Sequence, residues 1–421
     1  MTEQTDDGQL TIAVETEAGV FLRRIRPAAV LPTDADPGAA AEDATRFAAA
    51  LWGLPDFVFQ AAIRSTGSGV RELGDSIIIV GQAAAVVQVK ARTSPSGNDA
   101  KERGWLDKRI DKAARQAAGT IRAFVTKPRV SLINERGTTV DVNGSSKTWV
   151  PVVVLDHPGL PGYTPVAMAV VLLRRDWEFL FEQLKSTHAV LEYLQRVHPQ
   201  GPVPLGDEPL RYYQLAADDA AAEPSPIDQR LLRVGARRMS TPLLPQAPAG
   251  HDDRKHHVVL RTVLEDLAKC TVPENATTAD MVDVLAAVDA TPVGYRSDLG
   301  RDIVAWLHDV AQVDDGLKWQ FRIVNGNDRV NLIFAAVSRH DEMAQALFGS
   351  YISLRHQQLL EAIPEQADAL TVGVLLTPRR DGTRPWDTTM VATKGDQGFD
   401  PPYRAELEAI WGHPGGSPIT M

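Results

Sequence analysis

Small and apolar residues recur at helical spacing through AAEDATRFAAALW, and Gly53 with Pro55 in the next stretch, GLPDF, supplies a stop. FVFQAAIRS reads as a strand that runs into the Gly/Ser turn TGSG. DSIIIV and AAVVQVKA follow as two β-rich runs separated by GQ, the pattern of a hairpin. Helical period returns in GWLDKRIDKAARQAAGTIRAF. A second hairpin is predicted in VSLINERGTTVDV, strands in TWVPVVVLD and VAMAVVLL, and one amphipathic helix over DWEFLFEQLKSTHAVLEYLQRV. The order helix, three strands, helix, strand is the content of a three-layer α/β/α sandwich around a mixed sheet. Residues 1–197 are assigned to it.

From HPQGPVP to HDDRKHH the sequence turns to Pro, Ala, Asp and Gly without a sustained period, so 198–257 is predicted to be a linker or an extended wrapping segment. Residues 258–421 carry a second α/β pattern: the helices DLGRDIVAWLHDVA and DEMAQALFGSYISLRHQQLLEAI alternate with the strands KWQFRIV, VNLIFAAVS and LTVGVLLTP. A chain of 421 residues is long enough for two or three domains at about 100–200 residues each. No internal repeat relates the two halves.

Composition changes this picture little. Apolar residues make up 44% and charged residues 23%, as in an ordinary globular chain. The longest apolar run, VAMAVVLL, is far short of the roughly 20 residues that cross a bilayer, so no membrane partner is expected. The start, MTEQTDDGQL, is acidic where a secretory signal is basic and then apolar. Cys270 is the only cysteine, which excludes an intrachain disulfide and any cysteine-based zinc module; the expected compartment is the reducing cytoplasm. Charge is more informative. The chain carries −10 overall, yet Lys90 to Arg129 holds eleven Lys/Arg against four acids, a local +7. A nucleic-acid contact, if present, belongs there.

The same region holds the candidate chemistry, in RELGDSIIIVGQAAAVVQVKAR (Arg71 to Arg92). Strand alternation sets Gln88 and Lys90 on one face, apart from Val87 and Val89. Asp75 opens the partner strand of the predicted hairpin, where its carboxylate can approach the Gln-Val-Lys end. A carboxylate that holds Mg²⁺, a carbonyl oxygen that fills another metal position and an ammonium that steadies phosphoryl charge are together suited to phosphodiester hydrolysis.

These residues resemble the restriction-endonuclease-like PD-(D/E)xK nucleases, in particular the Mrr-type relatives in which glutamine replaces the second acid. The likeness covers Arg71 to Arg92 and the element order from about Ala40 to Asp156. It implies Asp75 as the metal-binding acid, Gln88 at the variant acid position and Lys90 as the catalytic lysine. Because Gln88 is neutral, a further acid is sought: Glu72, redirected by a bulge at Gly74, is the first choice, and Glu42 on the first helix the second. The resemblance implies a Mg²⁺-dependent nuclease, with Mn²⁺ as substitute, acting on DNA and serving in defence against foreign DNA. Self-association is left open. The competing expectation is a catalytically inactive nucleic-acid-binding or assembly module of the same fold, which the neutral Gln88 keeps in play.

In the helix after Lys90, Leu106, Ile110, Ala113, Ala117, Ile121 and Phe124 share one side, while Lys108, Lys112, Arg115, Gly119 and Arg122 share the other. Lys112 and Gln116, one turn apart, flank the basic stripe. Lys108, Lys112, Arg115, Gln116 and Arg122 are therefore the candidate nucleic-acid contacts. Other motifs read more simply. TGSGV precedes a strand and lacks a Walker lysine, so it is a turn. HDDRKHH has no helical spacing to fix metal ligands and is assigned to the linker. Asp156 and His157 end a strand without an identifiable nucleophile and receive no role. Arg379, Arg380 and Arg384 around Trp386 would suit base stacking or an ordinary loop.

Overall fold

The computed structural model describes residues 2–4, 10–16, 19–60, 63–66, 69–72, 76–127, 129–221, 251–272, 274, 276–313, 315–327, 330–362, 369–395, 398 and 400–411. The chain is mixed α/β and divides into two compact units. Met1–Ala222 and Glu274–Asp283 belong to the first, and Ala249–Pro273 and Val284–Met421 to the second.

In the first unit, β1 (Thr2–Gln4), β2 (Leu10–Thr16) and β3 (Gly19–Ile25) form an antiparallel meander, which the hydrophobic pattern did not predict. Helix α1 (Pro37–Trp52) follows, capped by Asp36, whose carboxylate accepts from Ala39 N. The main sheet has five strands in the order β12 (Val170–Leu173), β11 (Thr148–Asp156), β8 (Ala83–Ala91), β7 (Ser76–Val80) and β4 (Val58–Gln60). β7 runs antiparallel to both its neighbours, β4 and β8, whereas β8, β11 and β12 are parallel. Gly81, with φ 55°, makes the tight turn between β7 and β8, where the GQ dipeptide predicted it. Two small hairpins leave the sheet: β5 (Ile63–Thr66) with β6 (Gly69–Glu72), and β9 (Val130–Ile133) with β10 (Thr139–Val142).

Helix α2 (Asp99–Val125) packs on β8 and β11. Its Leu106, Ile110 and Ala113 share a core with Val153, Leu155, Val171 and Leu173, and its Phe124 joins Ile77, Ile79 and Ala84. The opposite face of the sheet, with Val87, Val89, Val152 and Val154, is also buried. Helices α1, α3 (Arg174–Leu184) and α4 (Thr187–Val197) contact these strands, so both faces are covered and the central strands read as continuous apolar runs.

Two sequence expectations are corrected here. The single helix predicted after VAMAVVLL is two, because Lys185 adopts a left-handed conformation (φ 57°) and Ser186 caps α4 by accepting from Ala189 N. The stretch 198–257 is not all linker: α5 (Glu208–Ala221) packs on α3 and buries Tyr212 and Tyr213, and α6 (His251–Ala268) begins inside HDDRKHH.

Helix α7 (Thr278–Asp289) crosses the change of unit at Asp283. The second unit has a four-stranded sheet in the order β13 (Trp319–Asn327), β14 (Val330–Val337), β15 (Leu370–Pro378), β16 (Trp386–Lys394), with only β14 and β15 parallel. Helix α9 (Glu342–Ala362) and α10 (Pro401–Trp411) pack through Phe348, Tyr351, Ile352, Leu407 and Trp411 onto Trp319, Ile333, Ala335 and Leu375. Helix α8 (Val293–Ala311) contacts β14 and β15, and α6 contacts α8 and β16.

Candidate functional site

Gln88 pairs in register with Val153, and Lys90 with Leu155. Paired residues of parallel strands share a face, so Gln88 and Lys90 point to the side that α2 covers, as strand alternation predicted. Gln88 is 2% exposed, and no described residue hydrogen-bonds its amide. Buried amides are ordinarily paired, which is a reason to look for a ligand or water at this nearly enclosed position. Lys90, two residues nearer the strand end, is half-buried, and its Nζ donates to Val89 O at 2.6 Å.

Asp75 lies outside the described residues. In sequence it directly precedes Ser76, whose ladder partner is Val87, the neighbour of Gln88. Glu72 ends β6, paired with Ile63 in the small separate hairpin; its side chain lies outside the described residues. Gly74, where the bulge is expected, lies outside the described residues. Glu42 is half-buried on α1. Among the described residues no group of three or more His, Cys, Asp or Glu is placed to hold a metal ion.

A polar cluster that received no role from the sequence occupies the same end of the sheet. Glu102, in the first turn of α2 behind the cap Asn98, is the hub. It accepts from Arg92 Nε (3.1 Å) and Nη2 (2.9 Å), from Ser96 N (2.8 Å) and from His157 Nε2 (3.1 Å). Gly159 N donates to His157 Nδ1 at 2.9 Å, so the ring proton sits on Nε2 and is given to Glu102. The Arg92 guanidinium, then the Ser96 amide and His157, hold the Glu102 carboxyl well below the usual carboxylate range. Trp105 stacks on His157 at 5.7 Å between ring centres, and Arg92 lies 5.3 Å from the Trp105 ring. The carboxylate thus fastens the end of β8, the loop after it, the start of α2 and the end of β11.

Beyond the other side of β11, Asp156 Oδ1 accepts from Arg174 Nε at 2.8 Å. Arg174 also donates to Glu178 Oε1 (2.5 Å) and to Ala29 O (2.9 Å). The signal for this cluster was in the sequence as DH at a strand end. What it lacked was a partner, because Glu102 and Arg92 had been counted only as charges.

The candidate nucleic-acid contacts Lys108, Lys112, Arg115, Gln116 and Arg122 are all exposed on α2. Arg115 is paired with Asp111 at 2.6 Å. Lys112 and Gln116 lie on the solvent side of the helix, while Leu106, Ile110 and Ala113 face the sheet, so the pair does not converge with Gln88 and Lys90. In the second unit Arg379 and Arg384 are both paired with Asp387, and Arg379 also with Asp381. The Trp386 ring is buried, its Nε1 donating to Asp266 at 3.1 Å, so this loop offers no stacking platform. Comparison of the chain with protein-family models, curated proteins and solved structures finds no match.

Proposed function

We propose that the first unit is a metal-dependent nuclease of the restriction-endonuclease type, a three-layer α/β/α sandwich acting on DNA. The observation that carries this reading is the nearly enclosed Gln88 on the same face as Lys90 at the end of a strand flanked by β7 and β11. The order of α1, β4, β7, β8, α2 and β11 supports it, with antiparallel pairing among the first three strands and a parallel fourth.

A Mg²⁺ ion would be held by Asp75 and the Gln88 amide oxygen, and when bound it lowers the pKa of its water. Lys90 stabilises the charge that grows on the phosphoryl oxygens, and Glu102 keeps the end of its strand in place. With a neutral amide at the second position, the site would offer one negative ligand fewer, so millimolar Mg²⁺ or Mn²⁺ is expected to be needed.

The second reading, a binding module without catalysis, draws on the same neutral Gln88 and on the exposed Lys and Arg of α2. Purified protein incubated with plasmid and single-stranded DNA, with Mg²⁺, Mn²⁺ or EDTA, separates the two. Cutting that requires the metal and is lost in Asp75→Ala and Lys90→Ala is the expected result. DNA binding without cutting under every metal condition favours the binding module, and cutting that survives Lys90→Ala overturns the assignment.

A further inference from the structure

We propose that a cavity at the carboxyl ends of β11 and β12 is a nucleobase subsite, in which Asp156 reads a base bearing an exocyclic amino group. The proposal rests on the nuclease reading for its nucleic-acid ligand. The cavity, of about 170 Å³, is bounded by Leu155 and Leu173, by Asp156 and Arg175, and by Pro27 and Ala28 of the segment that follows β3.

That segment is fastened over the sheet edge by two bonds to α3: Arg174 Nη2 donates to Ala29 O, and Ala29 N donates to Glu178 Oε2 at 2.8 Å. Ligands of α/β sheets characteristically sit at the carboxyl ends of parallel strands. Lys90 is in register with Leu155, a lining residue on the neighbouring strand, while Asp156, one residue further along, turns to the opposite face of the sheet.

The polar groups select among bases. All three Arg174 nitrogens are committed, to Asp156, Glu178 and Ala29, which fixes the Asp156 carboxylate by Oδ1. Its Oδ2 has no partner among the described residues, and the side chain is 26% exposed. Arg175 directs Nε to Asp176 and Nη2 to Gly206 O, leaving Nη1 without a described partner. The cavity therefore presents one immobile anionic acceptor and one donor beside the apolar Leu155, Leu173, Pro27 and Ala28 that also line it, a composition suited to a planar ring with polar edges. A carboxylate accepts from the amino group of cytosine, whereas the carbonyl oxygen that thymine sets at the same position faces it unfavourably.

The test is fluorescence anisotropy of the full chain with labelled oligo(dC) and oligo(dT) of equal short length in EDTA, where nothing is cut. Tighter binding of oligo(dC), by roughly fivefold to tenfold, is expected. Asp156→Asn keeps an acceptor for Arg174 but turns the free oxygen into an amide group, and it should erase the preference. Ala28→Trp places a bulky ring at the cavity's rim, and it should do the same while circular dichroism stays unchanged. Equal affinities in the parent, failure to bind either oligonucleotide, or a preference that persists in both variants overturns the subsite. A preference lost as expected in a protein that never cuts DNA leaves the subsite standing and sinks the nuclease reading. Cutting without base preference does the reverse.

Discussion

Two buried carboxylates of the first unit respond to pH in opposite directions. Asp176, in the first turn of α3, is fully buried with Oδ2 unpartnered, and burial pushes its carboxyl up from 3.8 to about 7 against the opposing charge of Arg175. Between these values the folded chain holds a proton that the unfolded chain has released, so stability falls as pH rises from about 4 to 7 and levels off above. The rise corresponds to about 4 kcal/mol at ~1.36 kcal/mol per pH unit. Asp176→Asn should remove that slope: urea midpoints are expected to match the parent near pH 4 and to exceed it at pH 8. Parallel pH profiles for the two proteins would refute the account. Glu102 has the reverse sign. Its pKa is depressed, so its contribution is present above the ordinary value of 4.5 and is lost as pH falls further. Glu102→Gln retains the shape but not the charge facing Arg92 and His157, and should lower the thermal midpoint by roughly 5 °C at neutral pH, with the difference shrinking in acid.

At the scale of elements, the close joint is between α1 and α4. A Cβ on Gly53, the cap of α1, would lie 1.7 Å from Thr187 Oγ1 and 3.1 Å from Ala49 O. Gly53→Ala must therefore push the start of α4 away, at an expected cost of about 2–3 kcal/mol, whereas Gly104→Ala, with open space around it, should be neutral or mildly stabilising. Comparison of thermal melts of the two variants checks the pair. GLP was legible as a stop because Pro and Gly act locally, and the β7–β8 hairpin and α2 were legible because their periods are sustained over many residues. The break at Lys185 was not, since a left-handed lysine follows from the packing of α3 and α4 rather than from local preference. Its one sequence trace was Ser186 in a capping position. Helix α5 was hidden by Ala and Asp, which read as linker although Tyr212 and Tyr213 are buried. At the site, strand alternation alone placed Gln88 with Lys90. The Glu102 hub depends on the chain returning 55 residues later at His157, a closure that no local pattern encodes.

For the molecule as a whole, charge decides how DNA would be met. A chain of net −10 repels a polyanion on average, so productive encounter requires the basic cluster on α2 to act at close range and at low salt. Lys108, Lys112, Arg115 and Arg122 are exposed there, but Arg115 is partly neutralised by Asp111, which leaves about three effective cations. Each phosphate contact adds about 0.9 to the slope of log affinity against log salt on duplex DNA. Replacement of all four by Gln should therefore flatten the slope by about 2–3 and weaken binding steeply at low salt, while the exposed positions keep the effect on folding small. Gln116→Ala, which removes no charge, should leave the slope unchanged. Titrations of both variants across a salt series read the difference directly. An unaltered slope in the fourfold variant would mean that α2 does not face the nucleic acid, and the α2 interface would have to be given up whatever the chemistry at Lys90.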